Sequence, residues 1–85
     1  MIPTSYNFDT ALKEILSTAQ QQGKEYVDVV SGDLHRRVGG YPGRNHRMPM
    51  CCSAMKQAMK GRDQILDQPF SGQGASLKIR YYLPR

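Results

Sequence analysis

At 85 residues the chain has room for one modest core, and a domain of this size can fold without a metal or a disulfide. Its 39% apolar and 22% charged residues describe a globular chain rather than a disordered one. The lack of any run of about 18 apolar residues excludes a helical membrane span, and a formal charge of +5 turns attention to anionic partners.

The N-terminal Met1-Ile2-Pro3-Thr4-Ser5-Tyr6 has no basic stretch ahead of an apolar one, so no secretory leader is expected. From Phe8 to Gln22, the residues Phe8, Leu12, Ile15, Leu16 and Ala19 recur at helical spacing and predict an amphipathic scaffold helix. Asn7 or Asp9 is expected to cap its start and Gly23 to close it in a left-handed turn. Tyr26-Val27-Asp28-Val29-Val30 is β-branched and short, which predicts a strand. Ser31 is expected to cap a second helix, with Asp33 in its first turn, Leu34 and Val38 facing inward, and Gly39-Gly40 stopping it.

After a loop dense in Gly and Pro, Pro49 suits the first turn of a third helix, where its missing N–H costs nothing. Cys51 or Cys52, Met55, Ala58 and Met59 would form its inner side, and Gly61 would end it. Gln64-Ile65-Leu66 reads as a strand, Pro69-Phe70-Ser71-Gly72-Gln73-Gly74 as a flexible turn. In Ser76–Leu83, Leu77, Ile79, Tyr81 and Leu83 alternate with polar residues, as in a half-buried strand.

Charge is segregated along this order. Met1–Asp33 carries two basic and five acidic residues, or −3, whereas Leu34–Arg62 carries seven basic residues, both histidines and no carboxylate, or +7. Asp63–Arg85, with three basic and two acidic residues, gives +1. A basic middle without one acid is the footprint of a polyanion contact, although a solvated face would also explain it.

Helix, short strand, helix, loop, helix, strand, Gly-rich turn, strand: this order resembles the winged-helix (winged helix-turn-helix) superfamily of DNA-binding proteins over residues 8–83. The string Gly39-Gly40-Tyr41-Pro42-Gly43-Arg44-Asn45-His46-Arg47-Met48-Pro49 also resembles a stretch of short bacterial proteins, which brings no activity with it. The superfamily resemblance implies a single α+β domain over 1–85, with three helices and a C-terminal hairpin wing. It also implies that the third helix enters the major groove while the wing touches the backbone or minor groove.

Three groups of residues are therefore expected to contact DNA. Arg44, Asn45, His46 and Arg47 stand at the start of the third helix, where Arg suits guanine and Asn suits adenine, and where helix N–H groups hold phosphate. Ser53, Lys56, Gln57 and Lys60 share one helical face, with the lysines on phosphates and Gln57 near a base. Gln73, Lys78 and Arg80 belong to the wing, where glycines allow close approach and cations add grip. Plainer readings use the same residues as caps, as a solvated face and as charges that protect a strand edge.

No enzyme is expected. The basic middle offers no carboxylate to orient His35 or His46, and Asn45-His46-Arg47 lacks the metal-binding partners of a nuclease. Adjacent Cys51 and Cys52 do not have the spacing of zinc ligands. They are expected to be reduced thiols, one in the core and one partly exposed, which suits the cytoplasm. No cofactor, metal, membrane or small-molecule substrate is expected. The anticipated partner is double-stranded DNA in a regulatory or nuclease-associated setting, with a homodimer or a protein partner adding specificity. An acidic protein partner, or RNA, is the alternative. These expectations require the third helix and the hairpin to present their cations on one surface.

Overall fold

The computed structural model describes residues 3–39, 43 and 47–85. Its elements are α1 (Ser5–Gln21), β1 (Tyr26–Val30), α2 (Ser31–Val38), α3 (Met48–Gln57), β2 (Gln64–Asp67) and β3 (Lys78–Tyr82). Three helices thus accompany a three-stranded antiparallel sheet in the order β1-β3-β2. Among the described residues, no helix is long and apolar enough to cross a membrane.

α1 starts three residues before the expected Phe8. Thr4 Oγ1 accepts the Asn7 N–H while Asn7 Oδ1 accepts the Thr4 N–H, a reciprocal cap that satisfies two donors the helix leaves unmatched. Asn7 therefore belongs to the cap as its third helical residue, and Asp9 has no part in it. Phe8, Leu12, Leu16 and Ala19 are buried, and Gly23 turns the chain with φ +76°, a conformation that favours glycine.

The register separates the two faces of the sheet. Val27 pairs with Tyr81 and Val29 with Ile79 facing the helices, while Tyr26 pairs with Tyr82, Asp28 with Arg80 and Val30 with Lys78 on the outer face. A bulge at Leu66 brings Asp67 opposite Lys78, so β2 changes face without adding a strand residue to the ladder. Leu77, Ile79 and Tyr81 are fully buried together with Phe8, Leu34, Cys51 and Met55. Burying each of the larger apolar side chains contributes roughly 1.5–3 kcal/mol.

Two helix ends are built differently from the sequence reading. Ser31 does not cap α2: its hydroxyl donates to Gly74 O, and the Val30 cap position makes no side-chain bond. Strand-loop carbonyls take over instead, with Ser31 N donating to Leu77 O at 2.8 Å and Gly32 N to Ala75 O at 3.0 Å. α3 ends at Gln57 rather than at Gly61. There the Met55 carbonyl accepts the Tyr81 hydroxyl at 2.8 Å, and the Met59 N–H turns back to Lys56 O. A buried tyrosine of β3 thereby terminates α3.

Candidate functional site

α3 leans on α2 through one histidine. His35 is fully buried on α2, its ring meets Phe8 edge-on at 4.9 Å, and its Nε2 accepts the Arg47 N–H at 2.8 Å. Arg47 is the cap position of α3 and makes no capping bond with its own side chain. His35 consequently supplies the fixed partner that starts the helix, and its Nε2 must carry a lone pair to do so. This role was not legible from sequence, because the two residues lie twelve apart across a loop.

The inner side of α3 meets the start of α2 and the end of the β2–β3 loop at one junction. The Cys51 thiol lies 3.5 Å from Ser31 O, and Cys52 Sγ lies 3.4 Å from both the N and the O of Gly74. Both cysteines are buried, which corrects the expectation that one would be partly exposed: adjacent residues on this helix both face a packed neighbour, the α2 start on one side and the loop on the other. Burial pushes the Cys51 thiol up to about 12, with the neighbouring Cys52 adding to the shift. That shift works against the Cys51 thiolate, the nucleophilic form.

The outer side of α3 exposes Pro49, Met50 and Gln57, with Ser53 half-buried between them. Lys56 stands beside this stripe, and its Nζ donates to Gly72 O at 2.7 Å. The bond fastens the helix to the β2–β3 loop while leaving two of the ammonium's three donors for another acceptor. Gly72 closes a turn over Pro69–Gly72 through its N–H to Pro69 O at 2.8 Å, with φ +80°. Gln73 is exposed on the same loop, where its N–H and carbonyl are both bonded to the Ser71 hydroxyl.

The remaining expected cations lie elsewhere. Arg80 is on the outer face of the sheet, bonded to both carboxylate oxygens of Asp28 at 2.8 and 3.0 Å and stacked 4.0 Å over Tyr26. The Arg80 hydrogen bond holds the Asp28 carboxyl below its ordinary range despite partial burial. Lys78 shares that outer face through its pairing with Val30. The helices pack on the other side of the sheet, so neither cation joins the α3 stripe.

Lys60 lies past the end of α3, beside Lys13, Leu16, Gln20 and Arg85 at the α1 side. Its N–H donates to Asp63, whose nearly buried carboxylate also accepts from Tyr82 N and Arg85. Burial opposes ionisation of Asp63, but these three donors outweigh it and keep the pKa low. The helical spacing that grouped Lys60 with Lys56 assumes one more turn than α3 has.

Arg44, Asn45 and His46 lie outside the described residues. Among the described ones, Arg47, Ser53, Lys56, Gln57 and Gln73 belong to α3 and the loop fastened to it. Lys60, Lys78 and Arg80 do not. The expectation that the third helix and the hairpin present their cations on one surface is therefore not met: Lys60 lies at the α1 side, and Lys78 and Arg80 lie on the outer face of the sheet, so no hairpin cation joins Lys56. No family model, curated protein or solved structure matches the chain.

Proposed function

We propose that the chain is a non-catalytic DNA-binding module of the winged helix-turn-helix kind, with α3 as the groove helix and the β2–β3 loop as the wing. The observation that carries this reading is the bond from Lys56 Nζ to Gly72 O. It brings the exposed face of a helix and a hairpin loop side by side, so that a duplex could be gripped at two points. Support also comes from charge, since neither the segment 34–62 nor the segment 68–85 contains a carboxylate.

In this reading Lys56 and Arg47 hold phosphates, Ser53 and Gln57 face base edges, and Gln73 lies along the backbone. Arg44, Asn45 and His46, which lie outside the described residues, remain part of the proposal through their place in the sequence before Arg47. Exposed ion pairs of Arg36 with Asp33 and of Arg37 with Glu14 are weak enough to yield to phosphate. One small module makes few phosphate contacts, so the affinity should be modest and a second copy or a partner protein would sharpen it.

Labelled duplex DNA, single-stranded DNA and RNA titrated at two salt concentrations test the proposal. Preference for duplex, weakening as salt rises, is expected. Equal indifference to all three would replace it with docking to an acidic protein.

A further inference from the structure

The β2–β3 loop holds an aromatic ring where the protein itself has no use for it. Phe70 is exposed at 110% of its reference area, so it adds nothing to the core. Yet the turn beneath it is fixed from several sides. Phe70 follows Pro69 at the corner of the turn closed by Gly72 N–H to Pro69 O, and Lys56 holds the Gly72 carbonyl. Ser71 Oγ bonds both the N–H and the carbonyl of Gln73. Cys52 and Ser31 grip Gly74, and a side chain at Gly74 would meet Pro69 Cγ at 2.9 Å.

We propose that Phe70 is an apolar wedge that enters the minor groove of duplex DNA and partly unstacks a base step. The inference rests on the DNA-binding reading and adds to it a residue, a groove and a deformation. Three observations favour a narrow anionic groove over a protein pocket. The residues that follow the ring, Ser71, Gly72 and Gln73, are small or polar. No acidic residue occurs from Gln68 to Arg85, so nothing in the loop repels flanking phosphates. The Lys56 ammonium sits at the foot of the turn, placed to meet one of them.

The backbone that carries the ring is already fastened, and the unstacking of a flexible pyrimidine–purine step is offset by contact and by the closer wrap that a kink permits. The preferred target is therefore a duplex rich in TA steps.

The test uses the full chain, a TA-rich duplex with 2-aminopurine beside a central TA step, and a GC-rich duplex of equal length. Wild type should raise 2-aminopurine fluorescence severalfold and shorten the end-to-end distance read by energy transfer. Phe70→Ala, which removes a side chain with no internal contact, should bind the GC-rich duplex within about twofold of wild type, lose roughly tenfold on the TA-rich one, and give no fluorescence rise. Phe70→Leu should keep part of the signal, because the wedge acts by apolar bulk. Equal fluorescence from Phe70→Ala and wild type, or duplex binding by wild type without unstacking, overturns the wedge but leaves DNA binding standing, and transfers Phe70 to a protein pocket. Failure of wild type to bind either duplex overturns both.

Discussion

Lys56 of α3 donates its ammonium to the Gly72 carbonyl of the β2–β3 loop at 2.7 Å, so the exposed side of the helix and the tip of the hairpin are one surface. Their sequence separation is sixteen residues, and the same loop is held at its other end by Cys52 and Ser31.

Removing that ammonium should loosen the loop without unfolding the protein. Lys56→Ala is expected to cost about 1–2 kcal/mol, as for a hydrogen bond to a charged donor at a half-buried position. Amide exchange should quicken at Gly72–Gly74 and stay slow in β1 and β3. Slowed or unchanged exchange in the loop would show that Lys56 does not hold it.

His35 should matter through its acceptor nitrogen. His35→Ala leaves a cavity and an unmatched Arg47 N–H beneath the start of α3, with an expected loss of about 2–4 kcal/mol. Gln can place a carbonyl oxygen near the position of Nε2, so His35→Gln should recover a substantial part in urea unfolding. No difference between the two variants would mean that packing alone explains the residue.

Gly32 is constrained by approach rather than by backbone angle. A Cβ there would lie 3.1 Å from Ala75 O and 3.3 Å from Ala75 Cβ, in the pair joined by Gly32 N–H to Ala75 O. Gly32→Ala should lower stability by about 1–3 kcal/mol through overpacking, whereas Gly61→Ala, with nothing within 4 Å, should leave the midpoint nearly unchanged.

Stability should fall at both ends of the pH scale. The Asp28 and Asp63 carboxyls are held below their ordinary range, so their contribution is complete above the unfolded pKa near 4 and is lost as acid protonates the folded carboxylates. Cys51 goes the other way. Its folded thiol is raised from 9.0 to about 12, so its contribution is present below pH 9 and disappears as pH climbs toward 12. Burial raises the Tyr81 hydroxyl in the same sense. Thermal unfolding from pH 8 to 11 should show a declining midpoint, shallower in Cys51→Ala; identical slopes would contradict the assignment.

The sequence discloses the elements and their order because they depend on local periodicity: α1 on its apolar stripe, β3 on the alternation from Leu77 to Leu83, Gly23 on its turn. The ends of α2 and α3 were not legible, since a distant loop caps one and Tyr81 terminates the other. The same limit applies to the site. Helical spacing grouped Lys60 with Lys56, and strand alternation placed Lys78 and Arg80 outward correctly without revealing that the helices lie behind that face. Arg80 looked like a free cation because Asp28, opposite it in the register, is 52 residues away. In sequence Phe70 reads simply as part of a turn, because its exposure and the fastening of its neighbours depend on contacts with distant residues.

Two double variants of equal charge distinguish a defined DNA-binding surface from diffuse positive charge. Arg47→Ala/Lys56→Ala removes cations from α3, and Lys60→Ala/Lys78→Ala removes cations from the α1 side and the outer face of the sheet. With folding confirmed for each, duplex DNA affinity should drop by roughly 10-fold or more in the first, with its salt slope reduced by about 2, and stay within about threefold of wild type in the second. Equal losses in both would mean that diffuse positive charge, not the surface formed by α3 and the β2–β3 loop, binds the nucleic acid.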